Sequence, residues 1–152
     1  MVATKSAANA VGIASDHAGY ELKAALIAIM RDRGLAVLDL GTDGPDSVDY
    51  PDFADALAAV MAEGRVARGI LVCGSGIGIA MAANRHRHLR TATCRDTTDA
   101  RLARQHNDAN VLALGARTIG LEVAQDCVRV FLETDFEGDI NPRHARRVGK
   151  FS

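Results

Sequence analysis

The sequence predicts an α/β fold, with an open parallel sheet of about five strands covered by helices on both faces. Three observations predict it. Short apolar runs alternate with longer stretches patterned at helical spacing. The run "ARGILVCG" (67–74) is apolar without alternation, as a strand buried on both faces requires. Glycine or capping residues mark most of the junctions. The arrangement is three-layer and Rossmann-like, and 152 residues suit one domain able to bury its own core.

The elements follow in order. "AVGIAS" (10–15) reads as a strand. Over 20–34, Leu22, Leu26, Ile29 and Met30 recur at helical spacing, and Gly34 stops the helix. "LAVLDLG" (35–41) is the second strand, and "TDGPDSVDYP" (42–51) is turn chemistry throughout. A helix over 52–64 ends at another glycine. The third strand, 67–74, leads into a helix from about Ile77 to Arg85. "RTATC" (90–94) is a strand, and 96–107 starts with capping residues and reads as helix. "NVLALGA" (110–116) is the fifth strand. Over 120–134, Leu121, Ala124, Val128 and Phe131 share one helical face. "NPRHARRVGK" closes the chain as a basic segment. Residues 1–9 are expected to be a disordered lead, and 10–152 a single domain.

Composition excludes several classes. The formal net charge is −1, so no basic excess points to nucleic acid. No apolar run approaches the ~20 residues that span a membrane, and "MVATKSAANA" lacks a secretory core. Cys73, Cys94 and Cys127 show neither a disulfide frame nor zinc spacing, which fits a reducing cytoplasm.

In open α/β sheets ligands bind beyond the carboxyl ends of the strands. There stand Asp16 and His17 after the first strand, Cys73 to Gly78 after the third, and Arg117 after the fifth. "CGSGIG" places Gly74, Gly76 and Gly78 at alternate positions. One glycine suffices for a tight turn; three favour close approach of an anion to the backbone. The pattern is neither a dinucleotide fingerprint nor a Walker loop. Free cysteine is usually a small buried hydrophobe, but at this strand end Cys73 is a candidate thiolate. Cys94 and Cys127 read as core. His17 and His106 are acid–base candidates, although a histidine at a helix end is often only a cap. His86 and His88 look solvated. Arg143, His144, Arg146 and Arg147 taken alone are an exposed charge run, yet Arg143 and Arg147 are four apart and on a helix would face one way, as phosphate binding needs. An anion grip, a soft base, a histidine and a backbone oxyanion hole together suit proton abstraction beside a carbonyl.

"SDHAGYELK", "DYPDFA", "CGSGIGIAMAANR", "RQHNDANVLALGAR" and "RHARRV" resemble the ribose-5-phosphate isomerase B family, which also contains galactose-6-phosphate isomerase subunits. The resemblance covers about residues 11 to 148. It implies interconversion of ribose 5-phosphate and ribulose 5-phosphate through an enediolate, without metal or other cofactor. It implies Cys73 as the base, Ser75 near the reacting oxygens, and the amides of Gly74 to Gly78 around the enediolate oxygen. His106 would open the furanose ring, with Asp16 assisting. His17, Arg117, Arg143 and Arg147 would hold the phosphate, and Asn107 and Tyr50 would line the sugar. The partners implied are a phosphorylated sugar and further copies of the chain, in a homodimer or homotetramer with the site at the subunit interface. His106, Asn107 and Arg117 would then come from the chain opposite Cys73. An apolar Ile79 places the chain with the cysteine-type members rather than those using glutamate. Allose 6-phosphate, galactose 6-phosphate or a tetrose phosphate are alternative substrates. A non-catalytic sugar-phosphate sensor would not need Cys73 or His106, and a nucleotide-binding domain would need a glycine motif where "SDHAGY" stands.

Overall fold

The structure, a computed structural model, describes residues 10–152. The expected lead over 1–9 lies outside the described residues. Five strands and six helices follow one another as β1 (Val11–Ser15), α1 (Tyr20–Asp32), β2 (Val37–Asp39), α2 (Tyr50–Ala62), β3 (Arg68–Cys73), α3 (Ile77–Ala83), β4 (Thr91–Thr93), α4 (Thr97–Asn107), β5 (Val111–Gly115), α5 (Leu121–Glu133) and α6 (Pro142–Gly149). The strands form one all-parallel sheet in the order β2-β1-β3-β5-β4. β5 enters between β3 and β4, so β4 is an edge strand that pairs with β5 alone.

The three central strands are apolar because both their faces are covered. On one face Ile13, Ile70, Val72, Leu112 and Leu114 pack against α1, α4 and α5. On the other, Ala14, Leu71, Cys73 and Ala113 pack against α2 and α3. In α5 the buried positions are Ala124, Cys127, Val128 and Phe131, a spacing of three and four that turns one stripe inward. Burial of the Phe131 ring alone stabilises the fold by roughly 2–3 kcal/mol.

Three local expectations change. Tyr50, placed in a turn by the sequence, opens α2, because Asp49 takes the cap position and Pro51 suits a first turn that needs no donor. The basic segment at the end of the chain is the helix α6, anchored by buried His144 and Val148 one turn apart. His86 and His88 are not simply solvated. His86 Nε2 lies 2.7 Å from Asp55 Oδ1 and His88 Nε2 2.8 Å from the Ala58 carbonyl, so both tie the turn after α3 to α2.

Candidate active site

β2 lies on one side of β1 and β3 on the other, so the loops leaving β1 and β3 diverge and open a crevice at their carboxyl ends. The register sets Cys73 beside Gly115 at the end of β5, which brings the loop after β5 to the same place. The result is an open cleft of about 620 Å³ lined by Asp16, His17, Ala18, Tyr50, Cys73, Gly74, Ser75, Ile77, Gly78, Arg117 and Thr118.

Cys73 sits at the floor of this cleft and is 4% exposed. The Gly76 N–H donates to its Sγ at 3.2 Å. That contact requires the backbone of Gly76 to turn to φ +74, a left-handed conformation that favours glycine. The Thr93 hydroxyl holds the turn by donating to the Gly76 carbonyl at 2.7 Å. α3 has only seven residues, so this single amide, rather than a long helix dipole, is the donor aimed at the sulfur.

The loop amides divide between tasks. Gly76 serves the thiol, and the Ile77 N–H donates to Ser75 Oγ at 3.2 Å, which orients the hydroxyl. The amides of Gly74 and Ser75 have no hydrogen-bond partner among the described residues. Gly78 serves a different need. A Cβ there would come within 2.6 Å of the Tyr50 ring, so its bare backbone lets Tyr50 lie across the loop.

Asp16 and His17 are fixed from behind. Asp16 is buried, and one carboxylate oxygen accepts from the Gly19 N–H at 3.1 Å. His17 Nδ1 accepts from the Val48 N–H at 3.2 Å, so its proton is on Nε2 when the ring is neutral. Arg117 stands over Gly74, its guanidinium 3.4 Å from where a Cβ on that glycine would lie. The resemblance assigned Arg117 to an opposite chain; here it shares the cleft with its own Cys73.

Four other candidates lie elsewhere. α4 leaves the carboxyl end of β4 and runs about 16 Å back along the sheet over its eleven residues. His106 and Asn107, its last two residues, therefore sit toward the amino ends of the strands, the opposite end of the sheet from Cys73. Asn107 lines a separate cavity of about 440 Å³ with Asn84, Arg87, Arg90, Thr91 and Phe151. Arg143 and Arg147 are exposed one turn apart on α6, which packs on α4. Within one chain the structure groups Asp16, His17, Tyr50, Cys73, Gly74, Ser75, Gly76, Gly78 and Arg117, and separately groups His106, Asn107, Arg143 and Arg147.

Two buried cations that the sequence reading passed over hold these groups in place. Lys23, 2% exposed, reaches Asp39 at 2.8 Å, and the same carboxylate oxygen accepts from the Gly41 N–H at 3.0 Å. This fixes the turn after β2 against α1. Lys23 falls on the stripe Lys23–Leu26–Ile27–Met30, and a cation on an apolar face signals a buried partner. Arg104, 3% exposed, donates to the Thr134 and Ala109 carbonyls and to Asp108, which locks the end of α4. Thr118 was also missed; it lines the cleft while its hydroxyl donates to the Gly115 carbonyl at 3.1 Å.

Cys94 and Cys127 are buried, and burial pushes their thiols up to about 12 and about 11. As metal ligands, only His106, Glu137 and His144 converge among the described residues, with donor atoms within 4.8 Å of one another. The two rings are stacked, 14° from parallel with centroids 4.3 Å apart. A metal lies in the plane of each imidazole that binds it, and nearly parallel planes share no such point between them. As arranged, the three do not form a cation cage. No helix among the described residues is long and apolar enough to cross a membrane.

Comparison with known proteins agrees with this fold. The sequence model described as Ribose/Galactose Isomerase matches residues 11–151. Ribose-5-phosphate isomerase B of Escherichia coli (strain K12) is 42% identical over 91% of this chain and 91% of its own. D-erythrulose-4-phosphate isomerase of Pectobacterium atrosepticum is 38% identical over 93% of each. The solved structure of Clostridium thermocellum ribose-5-phosphate isomerase B superposes with a TM-score of 0.89 at 48% identity, covering 93% of both chains.

Proposed function

The chain belongs to the ribose/galactose isomerase family and is an aldose–ketose isomerase; from that premise we propose that it interconverts ribose 5-phosphate and ribulose 5-phosphate at the Cys73 cleft. The observation that carries the reading is the Gly76 amide on Cys73 Sγ, in a cleft that also holds Asp16, His17 and Arg117. In this reading the phosphate is held by the His17 Nε2–H and the Arg117 guanidinium. The Cys73 thiolate takes the proton from C2 of the open aldehyde. The electrons move onto O1 and leave an enediolate. The same proton returns to C1 while the proton of the O2 hydroxyl passes to O1, so that O1 ends as a hydroxyl and O2 as the carbonyl of the ketose. The amides of Gly74 and Ser75, with the Ser75 hydroxyl, face the oxygen that carries the developing charge. Donors preorganised in this way contribute on the order of 3 kcal/mol each to the barrier.

Ring opening and the rest of the phosphate grip require His106, Asn107, Arg143 and Arg147, which lie at the far end of the sheet. A second copy supplies them in this reading, so the active unit is a homodimer or a larger even assembly of single-domain chains in the cytoplasm. A second substrate reading is also supported: the cleft is open, and one relative is named for a four-carbon phosphate.

The test is conversion of ribose 5-phosphate with EDTA present, by wild type, Cys73→Ala and His106→Ala. Wild type turns over and Cys73→Ala loses about 10²–10⁴-fold. A mixture of the two variants, unfolded and refolded together, regains about a quarter of wild-type activity, because half the dimers carry one intact site. An active Cys73→Ala enzyme removes the thiol base, and a mixture no better than its parts removes the shared site.

A further inference from the structure

His106 is one half of a stacked pair. Its ring faces that of His144 with centroids 4.3 Å apart and planes 14° from parallel. His144 is 5% exposed, although Arg143 and Arg147 on either side of it in α6 are exposed. The stack is not a chance contact of two mobile side chains. The Glu137 N–H donates to the carbonyl of Gln105, the neighbour of His106, at 3.0 Å. The Asn141 N–H donates to the Glu137 carbonyl at 2.8 Å, and the His144 N–H to the Asn141 carbonyl at 3.0 Å. A chain of backbone bonds thus runs from beside His106 to His144 and fixes the spacing of the two rings. Burial and the charges of His106, Arg143 and Arg147 hold His144 below the ordinary imidazole value, so it stays a neutral aromatic plate near neutral pH.

The last turn of a helix frays, and an imidazole there otherwise samples several rotamers. Opening a furanose tolerates little of that freedom. The C1 hydroxyl proton leaves to an imidazole nitrogen, the C1–O4 bond breaks as the C1=O1 bond forms, and the imidazolium returns that proton to O4. Both transfers need the ring plane to meet the sugar at a set angle. We propose that His144 is a positioning residue for ring opening: stacked on His106, it fixes the plane of that imidazole against the sugar ring. The proposal rests on the isomerase reading and deepens it.

The test separates ring chemistry from carbon proton transfer. Ribose 5-phosphate must be opened. Erythrose 4-phosphate and ribulose 5-phosphate cannot close a five-membered ring, because the hydroxyl needed carries the phosphate. His144→Ala and His144→Phe are assayed on ribose 5-phosphate, on erythrose 4-phosphate turnover, and on exchange of the C1 proton of ribulose 5-phosphate in deuterated water. His144→Ala lowers kcat on ribose 5-phosphate roughly ten- to a hundredfold. KM and the rates on the open-chain substrates stay within about twofold of wild type. His144→Phe, which keeps a flat ring against His106, recovers most of the loss. An equal loss on cyclic and open-chain substrates, a rise in KM alone, no loss, or a His144→Phe enzyme no better than His144→Ala overturns the proposal. Failure of the underlying reading looks different: wild type is then inactive on ribose 5-phosphate, or His106→Ala slows all substrates alike.

Discussion

Replacing Gly76 by alanine perturbs the turn on which the Cys73 thiol depends. At φ +74 an L-residue costs about 1–2 kcal/mol. The added Cβ would also stand 2.9 Å from the carbonyl carbon of Leu114 and 3.0 Å from the amide nitrogen of Gly115. Both are backbone atoms of the buried strand β5 and cannot rotate away, so a further ~1–3 kcal/mol of overpacking is expected. Gly64→Ala is the control, because its φ is +72 but a Cβ there meets nothing within 4 Å. Urea unfolding of both variants therefore reads the clash as a difference, with Gly64→Ala losing only the conformational part. Relief of the clash draws the amide away from Sγ at the same time. A hydrogen bond to a charged group is worth about 1.5–3 kcal/mol, which corresponds to roughly a ten- to hundredfold fall in kcat. Gly76→Ala as stable as Gly64→Ala would refute the packing argument. A variant that is destabilised yet keeps wild-type kcat would refute the role of the amide.

Other outcomes follow from the remaining buried groups. Iodoacetamide at neutral pH labels one thiol per chain, Cys73, because Cys94 and Cys127 are held at about 12 and about 11; mass spectrometry after proteolysis identifies the site. Raised thiol values in the folded state mean that the unfolded chain releases those protons first. Stability is therefore fully present below pH 9 and falls as pH rises toward 12, and the Cys94→Ala, Cys127→Ala double variant flattens that alkaline slope in chemical denaturation. Arg104→Met leaves the Thr134 and Ala109 carbonyls and Asp108 Oδ1 without their donor, while Arg90 stays 3.3 Å from Asp108 Oδ2. With Asp108 a third exposed, the loss is about 2–3 kcal/mol, and calorimetry should show it as a lowered Tm.

The parts of this protein that were readable from sequence are those with local signals. The uninterrupted apolar run before Cys73 marked a central strand, and the alternate glycines marked the strand-to-helix loop that follows it. α6 was not readable, because only His144 and Val148 of its eight residues are buried and neither makes an apolar stripe. The order β3-β5-β4 was equally hidden, since no residue of the short strand Thr91–Thr93 declares which neighbour it will pair with. The division of the candidate site into two groups follows from the direction of α4, a fact of topology and not of motif. Lys23 was legible in principle, as a charge in an apolar stripe. The tie between His86 and Asp55 was not, because nothing in the sequence indicates that two residues 31 apart meet.

The insertion of β5 between β3 and β4 also sets the order in which the molecule can be assembled. β1, β2 and β3 form a contiguous half-sheet as soon as they exist, but β4 is synthesised before the only strand it can join. Until Val111–Gly115 is laid against β3, the segment carrying Thr91–Thr93 has no strand to pair with, and α4, which follows it, has only part of its packing surface. The docking of β5 thus joins β4 to the sheet, and the same docking places Gly115 beside Cys73 and completes the rear wall of the cleft.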